Sequence, residues 1–472
     1  MRRFFFSLFG STFFLSLLLS YFHYPFLWVA LGAGILLIWG IYDVLQTKHT
    51  ILRNFPIIGH FRYLFEMIRP EINQYFIESN TDGKPFSREM RSVVYQRAKK
   101  ELDTLPFGTQ KDVYREGHEW ICHSMFPIEV DNKDLRLVIG GNECQQKYHS
   151  SLLNISAMSY GSLSKNAVEA LNQGAKLGNF AHNTGEGGLS EYHLKHGGDL
   201  IWQIGTGYFG ARTLDGKFNP ELFQTNSHQP SVKMIELKLS QGAKPGHGGI
   251  LPGVKVNQEI AQIRNVEIGK DVISPPHHSA FHGYEEMLDF IAHLRELSGG
   301  KPIGIKFCLG LRREFDRLCD TMHRKNSFPD FITLDGSEGG TGAAPVEFSN
   351  SMGYPLDDAL IFVDQCLKNY HIRDKMRVLS SGKVVTGFDV IKHLALGADA
   401  CNSARAMMFA LGCIQALRCN TNQCPTGVAT QDPELVKGLD IHNKATRVYM
   451  FHKETIRSVA ELMERYGTET NS

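Results

Sequence analysis

The stretch Asp330-Phe-Ile-Thr-Leu-Asp-Gly-Ser-Glu-Gly-Gly-Thr-Gly-Ala343 contains the pattern from which the fold can be predicted. A short apolar run, Asp330–Leu334, ends in a polar loop in which glycine recurs. One such loop is weak evidence, because tight turns need glycine for positive φ in any fold. The same junction of apolar run and glycine-rich loop recurs along the chain, and that repetition is the stronger signal.

Short apolar runs alternate with helix-like segments from about residue 150 onward. The runs are Leu152–Ala157, Asn179–Asn183, Ile201–Ile204, Met234–Leu239, Asp271–Ile273, Pro302–Phe307, Asp330–Leu334, Met376–Leu379 and Asp399–Asn402. The candidate helices are Ser164–Leu177, Tyr284–Ser298, Leu311–Lys325, Pro355–Asn369 and Gly387–Leu396. This alternation predicts an α/β fold with a parallel sheet, and about nine runs favour a (β/α)8 TIM barrel plus one extra segment. An open doubly wound sheet is the alternative, but no Gly-x-Gly-x-x-Gly opens a first helix.

Polar, glycine-rich loops follow almost every predicted strand. Besides the loop after Leu334, they are Ser156-Ala-Met-Ser-Tyr-Gly-Ser162, Asn183-Thr-Gly-Glu-Gly-Gly188, Gly242-Ala-Lys-Pro-Gly-His-Gly-Gly249 and Pro275-Pro-His-His278. In a (β/α)8 barrel the carboxyl ends of the strands form one face, and that face carries the active site. The active site is therefore predicted in these loops.

A cysteine-rich segment follows the last predicted strand. Cys413, Cys419 and Cys424 are three of the nine cysteines in the chain, and thiolate-rich sites select iron–sulfur clusters or zinc. Zinc is the alternative, although a closed zinc site needs a fourth ligand and none is near in sequence. Two turns of small and basic residues upstream, 381–383 and 402–405, are typical of a phosphate site. A phosphate site beside thiolates suggests a redox cofactor connected to an electron relay.

The overall composition excludes some function classes. Lys and Arg number 50 against 49 Asp and Glu, and basic residues are not interleaved with aromatics, so nucleic-acid binding is not expected. Nine cysteines in 472 residues show no disulfide framework, which favours reduced thiols in a cytosolic compartment. No oligomeric state is predicted.

Two uncharged apolar segments near the amino terminus predict a transmembrane hairpin. Phe4–Phe22 and Pro25–Tyr42 are each just long enough, since a spanning helix needs roughly 20 apolar residues. Arg2 and Arg3 precede the first segment and Lys48 follows the second, so both ends are expected in the cytoplasm. A cleaved signal peptide is the alternative, but its apolar region would be shorter and would end in a small-residue cleavage site. The expected location is the cytoplasmic (inner) membrane, multi-pass with two spans, with the catalytic domain facing the cytoplasm.

The chain is accordingly divided into four predicted parts. They are a transmembrane hairpin at 1–48, a connector and amino-terminal extension at 49–150, the barrel with its cysteine motif at 151–431 and a helical tail at 432–472. Within the connector, Phe55–Ile68 has the pattern of an amphipathic helix on a membrane surface, and a plain buried helix explains it equally well.

From Asn154 to Gln431 the loop motifs resemble the FMN-binding synthase domain of glutamate synthase and its smaller glutamate-synthase-like relatives. The family domain is a (β/α)8 barrel that holds FMN and a 3Fe-4S cluster. It forms L-glutamate by reducing the imine of 2-oxoglutarate and ammonia. The resemblance therefore implies both cofactors, these small-molecule substrates and an electron donor, which could be ferredoxin, an NAD(P)H reductase or quinone-linked.

The resemblance also implies cofactor-binding residues. Those at the FMN phosphate would be Gly382, Lys383, Ser403, Ala404 and Arg405. Those at the isoalloxazine would be Ala157, Met158, Ser159, Lys306, Gly339 and Gly340. Among them, Lys306 would lie near flavin N1 and stabilise negative charge on the reduced ring. The three cysteines 413, 419 and 424 would bind the cluster.

Substrate and catalytic residues follow from the same resemblance. The catalytic residues would be Glu186, Lys238, Gln241, Lys244 and Glu338. Lys244 and Arg264 would bind the substrate carboxylates, which call for fixed cations. Glu186 matches the acid at the entry point of ammonia.

Several features depart from the family. No amidotransferase domain with its cysteine nucleophile is recognised, so this chain is expected not to hydrolyse glutamine and to take ammonia from solution or another polypeptide. His247 and Ile250 stand where glutamate synthases have Glu and Gln. Ile250 removes a polar substrate contact. His247, with His277 and His278, is either a proton donor near neutral pH or one of several hydrogen-bonded loop histidines.

The predicted function is a membrane-anchored FMN/iron–sulfur oxidoreductase of glutamate synthase type, acting by reductive amination of 2-oxoglutarate or a related 2-oxo acid. One alternative is a glutamate-dependent amine transferase resembling methylamine–glutamate N-methyltransferase. Another is a non-catalytic membrane redox module that keeps the cofactors.

Overall fold

The computed structural model describes residues 1–101, 104–130 and 135–466 of the 472-residue chain. These residues form two compact units, Met1–Arg88 and Glu89–Ser472. The predicted tail at 432–472 contains two helices, and its last six residues, 467–472, lie outside the described part.

The amino-terminal unit is helical. Its helices are α1 (Arg2–Ser20), α2 (Phe26–Leu45), α3 (Thr50–Asn54) and α4 (Gly59–Ile72), followed by a π-helical turn at Asn73–Ile77. By length and composition α1 and α2 could each cross a membrane. Gly40 lets them approach, because a Cβ there would lie 2.3 Å from the Phe5 ring.

The second unit is built on twelve strands within the described residues. They are β1 (Arg136–Ile139), β2 (Tyr148–Ser151), β3 (Leu153–Ile155), β4 (His182–Asn183), β5 (Leu200–Ile204), β6 (Val232–Lys238), β7 (Ile250–Leu251), β8 (Val272–Ile273), β9 (Ile303–Phe307), β10 (Phe331–Asp335), β11 (Arg377–Ser381) and β12 (Ala400–Ser403). Eight of these strands close a parallel barrel in the order β10-β11-β12-β3-β4-β5-β6-β9. The predicted (β/α)8 barrel is thus confirmed.

Helices connect and surround the strands. They are α5 (Arg88–Lys99), α6 (Lys165–Gly178), α7 (Glu191–Leu194), α8 (Pro220–Ser227), α9 (Gln258–Arg264), α10 (Tyr284–Leu297), α11 (Arg312–Lys325), α12 (Val346–Ser351), α13 (Leu356–Asn369), α14 (Gly387–Ala395), α15 (Arg405–Leu411), α16 (Pro433–Val436) and α17 (Ile441–Tyr466). Short 3₁₀ turns lie at Gly253–Lys255 and Arg373–Lys375.

The barrel strands are buried on both faces, which explains the mostly apolar runs of strands such as β5, β9 and β10. Outward residues of the strands and the covering helices form one large apolar cluster. Inward residues at the amino ends of the strands form a second cluster, which includes Ile201, Met234 and Phe331. Ile139 and Tyr148 of the β1–β2 hairpin complete this cluster and close that end of the barrel. The opposite end, where the polar loops lie, is left for the functional site.

The extra run at Asp271–Ile273 is not a barrel strand. Its residues Val272–Ile273 form β8, which pairs antiparallel with β7, and both lie between β6 and β9 in sequence. This hairpin presents the loop before β7 and α9 to the carboxyl face, so an insertion after β6 contributes to the site.

Candidate functional site

A buried ion pair lies at the carboxyl ends of β4 and β6. The Lys238 ammonium is 2.7 Å from Glu186 Oε1 and donates to Gln241 Oε1 at 2.5 Å. Gly205 and Gly249 close over the carboxylate, since a Cβ at either position would lie within 2.6 Å of a Glu186 oxygen. Three residues predicted to be catalytic are therefore in direct contact.

Arg264 reaches the same place from α9, whose first turn is capped by the Asn257 side chain. Its guanidinium is buried, donates to Tyr160 O at 3.0 Å and to Ser159 Oγ at 3.3 Å, and lies 5.2 Å from the centre of the Phe209 ring. Within the described residues its Nε has no hydrogen-bond partner. A buried guanidinium with a spare donor is suited to an anionic ligand.

Lys244 supplies a third buried cation. Its Nζ donates to Ala343 O at 3.0 Å in the loop after β10. Burial, together with the neighbouring Lys238 charge, lowers the pKa of Lys244 to about 8, and the Glu186 carboxylate opposes that shift. Burial likewise lowers the pKa of Arg264 to about 10.

The charges at this site do not balance. Burial alone would raise the pKa of Glu186, but Lys238, and then Lys244 and Arg264, outweigh it, so the pKa lies below its ordinary value. In the described part of the chain, the Glu186 carboxylate therefore faces three cations. The surplus positive charge predicts a ligand with more than one negative charge.

A hydrogen-bonded network that the sequence reasoning missed lies inside the barrel below this site. Glu236 is fully buried two residues before Lys238 on β6. Its oxygens accept from Asn183 Nδ2 at 2.8 Å, from Gln203 Nε2 at 2.6 Å and from the Thr333 hydroxyl. The signal available in the sequence was a glutamate in the middle of the apolar run Met234–Leu239, which demands polar partners inside the barrel.

The two predicted phosphate loops are neighbours. β11 and β12 pair in parallel with Ser381 opposite Asn402, so the turns after them lie side by side at the last two barrel strands. Lys383 takes a left-handed φ of 47°, and Ser403 Oγ donates to Val384 O at 2.6 Å, which joins the two loops. Phosphate sites of (β/α)8 enzymes commonly occupy this position.

Arg405 is half-buried between the loops after β10 and β12. Its Nη2 donates to Glu338 O at 2.5 Å, and a Cβ on Gly340 would come within 2.7 Å of its Nε. Burial lowers the pKa of Arg405 to about 10, opposed by Asp335 and Glu338. Gly340 is thus required for close approach of the loop to the guanidinium.

Glu338 and Lys306 have contacts that define their surroundings. The Glu338 carboxylate accepts from Leu356 N at 3.2 Å and so caps α13, and burial raises its pKa. Lys306 is buried at the end of β9 with its Nζ 3.8 Å from Asp335 Oδ2, and that same oxygen accepts from Gly242 N. Three residues predicted to contact the isoalloxazine lie in the loop after β3. Met158 and Ser159 are buried there, and Ala157 is half-buried.

All three motif cysteines are free thiols. Cys424 is buried and Cys413 and Cys419 are half-buried. Burial raises the pKa of Cys413 to about 12, and the neighbouring Cys419 and Cys424 thiols add to that shift. No three His, Cys, Asp or Glu side chains in the described ranges are grouped so that they could hold a metal ion. The ligands of an iron–sulfur cluster lie farther apart than those of a single metal ion, so this finding does not test a cluster. The assignment of the three cysteines to a cluster stays a prediction.

A buried cation lies next to these thiols. Lys255 Nζ donates to Ala429 O at 2.8 Å and to Ser162 O at 3.1 Å, and it forms no ion pair with a carboxylate in the part of the chain described. Burial lowers the pKa of Lys255 to about 8, whereas Cys419 and Cys424 raise it. The thiols are therefore its nearest potential anions.

The cysteine segment is joined to the loop after β3. Gln431 Nε2 donates to Gly161 O at 3.0 Å and to Leu163 O at 2.8 Å, and Ser164 N donates to Val428 O at 2.9 Å. This is the loop that carries the predicted isoalloxazine contacts. The two predicted cofactor sites therefore share one hydrogen-bonded loop.

The histidines of the loops behave differently from one another. His278 is buried and bonded at both ring nitrogens, to Lys238 O at 2.8 Å and to the Tyr208 hydroxyl at 3.0 Å, and burial lowers its pKa to about 4. It is a neutral, hydrogen-bonded loop histidine. His247 Nδ1 lies 2.9 Å from Gly248 O with its ring edge-on to Phe348, and His277 is exposed.

Known proteins resemble this chain over most of its length. Residues 92–469 match the family described as the conserved region in glutamate synthase. The chain is 42% identical over 449 residues to the glutamate synthase large subunit-like protein YerD of Bacillus subtilis, covering 86% of this chain and 85% of that protein. It is 36% identical over 314 residues to the archaeal glutamate synthase (NADPH) of Methanocaldococcus jannaschii, covering 66% of this chain and 58% of that protein.

Similarity to solved structures is more distant. A variant of flavocytochrome b2 with pyruvate bound aligns with a TM-score of 0.44 at 13% identity, over 91% of this chain and 87% of that one. The barrel is therefore established by its own strand order. The family match spans far more than half of the sequence, and with it the chain belongs to the glutamate synthase family.

Proposed function

We propose that the protein is a membrane-anchored oxidoreductase that carries FMN and an iron–sulfur cluster and reductively aminates a 2-oxo dicarboxylic acid. The observation that carries the proposal is the buried group of Lys238, Lys244 and Arg264 around the single carboxylate of Glu186. The names of the relatives support glutamate synthase chemistry, and the site supports its substrate class.

Charge and geometry favour a dianionic substrate. Each substrate carboxylate would neutralise one of the surplus cations, and the spare Nε of Arg264 would donate to one of them. Lys244, whose ammonium bonds only to the Ala343 carbonyl among the residues that the structure describes, would take the other. 2-Oxoglutarate has the two carboxylates that these cations require. Because Ile250 offers no polar contact to the substrate, a related 2-oxo acid is also compatible with the site.

The proton transfers are assigned to Glu186 and Lys238. Adding ammonia to the 2-oxo carbon and losing water gives an imine, and ammonium must first give up a proton. Glu186 is kept ionised by Lys238, so it can accept a hydrogen bond from ammonium and take its proton as the nitrogen attacks the 2-oxo carbon. Lys238, bonded to Glu186 and Gln241, is positioned to return a proton to the departing oxygen.

The residues fit an FMN cofactor. The adjoining loops of Lys383 and Ser403 would hold the phosphate, and the close approach of Gly340 to Arg405 brings the loop after β10 towards it. FMN, when bound, supplies the hydride that reduces the imine carbon. Lys306, buried at the end of β9 with one acidic neighbour, would stabilise negative charge on the reduced ring.

An iron–sulfur cluster at Cys413, Cys419 and Cys424 would pass electrons to the flavin. Two observations support this assignment. Hydrogen bonds of Gln431 join the cysteine segment to the loop after β3. The buried Lys255 lies near the thiols and lacks a carboxylate partner among the residues described. A cluster with net negative charge would supply that partner. The electron donor, whether ferredoxin, a reductase or a quinone, would meet the cluster first.

Membrane attachment is proposed for α1 and α2. They contain 19 and 20 residues, and most of their large apolar side chains are exposed. That exposure is costly in water and favourable in lipid. The catalytic unit would face the cytoplasm, where both flanking basic segments are expected.

A product assay tests the proposal against its alternatives. The protein is purified anaerobically, reduced with dithionite and given 2-oxoglutarate with ¹⁵N-ammonium. The expected result is ¹⁵N-glutamate in proportion to reduced flavin. Amine exchange on glutamate without consumption of reductant would indicate an amine transferase instead, and neither reaction with both cofactors bound would indicate a non-catalytic redox module.

A further inference from the structure

Helix α4, within the amino-terminal unit, exposes a continuous apolar face. Phe61, Leu64, Phe65, Ile68 and Ile72 follow the spacing of one helical side, and the exposed fractions of Phe61 and Phe65 are 56% and 60%. The stretch continues into the π-helical turn, where further aromatic side chains are exposed. A soluble helix normally turns such a face inward.

The start of α4 is fixed to the end of α2. Asp43, fully buried in the last turns of α2, accepts from His60 Nε2 at 2.9 Å and from Ile57 N at 2.8 Å. The Trp39 ring lies 5.3 Å from the His60 ring, and Arg53 Nε donates to Val44 O at 3.2 Å. These contacts join three successive segments into one local structure.

The contacts with Asp43 determine the depth of α4 relative to the membrane. An ionisable residue such as Asp43 belongs near the end of a membrane span rather than at its centre. The first turn of α4, bound to Asp43, must then lie where α2 leaves the hydrocarbon. An apolar helix face held at that level meets lipid rather than water.

We propose that α4 lies along the bilayer surface, with Phe61, Leu64 and Phe65 inserted between headgroups and acyl chains. The side of α4 that carries Arg62, Glu66 and Arg69 faces water and anionic headgroups. The inference rests on the proposed membrane attachment of α1 and α2. It adds a third membrane contact, which fixes the chain at the exit of the second span.

Two matched tryptophan variants test the orientation of α4. Phe65→Trp places an indole on the apolar face, and Glu66→Trp places one on the adjacent polar face. Full-length protein is reconstituted in nanodiscs of phosphatidylcholine and phosphatidylglycerol, with or without bromine on the acyl chains near the headgroup. Emission is compared with that of the parent, whose four native tryptophans provide the baseline. Aqueous iodide provides the opposite quencher.

The added emission of Phe65→Trp should be quenched by brominated lipid at least about twofold more than that of Glu66→Trp, with the reverse order for iodide. Equal quenching of the two variants would overturn the proposal. So would protection of Phe65→Trp from iodide without quenching by lipid, which would indicate a protein partner. If brominated lipid does not quench the parent, whose Trp28 and Trp39 lie in α2, the membrane attachment itself is wrong.

Discussion

At the residue scale, binding of 2-oxoglutarate is expected to depend on the Lys244 charge. Lys244→Met removes one of three buried cations and leaves a side chain of similar length. Loss of a charge-assisted hydrogen bond costs about 1.5–3 kcal/mol, so the dissociation constant for 2-oxoglutarate should rise roughly 10–150-fold. The constant is measured by isothermal titration with the oxidised protein.

Lys301 provides the matched control for that variant. It is also a buried lysine whose pKa burial lowers to about 8, but it precedes β9 and donates to Ser227 O at the opposite end of the barrel. Lys301→Met should leave the dissociation constant unchanged. Equal weakening by both variants would mean that general destabilisation, not lost charge at the site, explains the effect.

Binding of the dianion should also depend on pH. Because the pKa of Lys244 is lowered to about 8, its ammonium loses the proton as pH rises through that value, and the site loses positive charge. The dissociation constant should therefore be about tenfold higher at pH 9 than at pH 7. This dependence should be absent in Lys244→Met. Affinity that is constant over this range in the parent would contradict the assignment of Lys244 to the substrate.

Lys255 should influence the cluster by its charge. A buried cation stabilises the more negative, reduced state, so Lys255→Met should lower the reduction potential of the cluster by at least about 59 mV, a tenfold change for one electron. The potential is measured by redox titration followed by electron paramagnetic resonance, with Lys301→Met as control. An unchanged potential with full iron content would refute this role, and a parent without iron would refute the cluster itself.

The roles of the individual site residues stay predictions, but the structure brings together some of those that a sequence motif grouped. Lys238, Gln241 and Glu186 were predicted together and are in contact. The sequence did not indicate that His278 is bonded at both nitrogens, because its partners, Lys238 O and Tyr208, are 40 and 70 residues away. The cofactor and cluster assignments stay predictions.

At the scale of elements, the loops after β6 and β10 approach so closely that glycine is required. A Cβ on Gly242 would lie 1.6 Å from Gly336 O. Gly242→Ala should therefore separate the loops at a cost of about 1–3 kcal/mol or more, seen as a lower thermal midpoint and lower flavin content. Gly310→Ala, with nothing within 4 Å of its Cβ, should change neither. Comparable losses in both variants would contradict this steric argument.

The positions of the helices and strands were well predicted, because the strand–helix alternation of the barrel appears in the sequence as apolar runs that alternate with helix-like segments. Predicted Tyr284–Ser298 and Leu311–Lys325, for example, correspond to α10 and α11 within one residue at each end. The sequence pattern did not distinguish Asp271–Ile273 from the barrel runs. Its pairing with β7 joins residues that are 21 and 23 positions apart, Leu251 with Val272 and Ile250 with Ile273, and a local sequence pattern does not reveal such a contact.

At the scale of the whole molecule, the chain combines a helical amino-terminal unit with a catalytic barrel of the glutamate synthase family. Within the barrel unit, the proposed path of electrons runs from the cysteine segment through the loop after β3 to the carboxyl face. The surplus of buried cations at that face is proposed to select the substrate. Both features belong to the barrel and its insertions, so they do not depend on the membrane attachment.

Rapid mixing of the reduced protein with substrate tests whether its flavin reduces the imine of 2-oxoglutarate and ammonia. Flavin absorbance is followed by anaerobic stopped flow after mixing with 2-oxoglutarate, with ammonium, or with both. We expect rapid reoxidation of the flavin only with both substrates, and much slower reoxidation in Lys244→Met at the same concentrations. A protein that lacks flavin, or whose reduced flavin is not reoxidised by the two substrates together, would show that the proposed reaction is wrong.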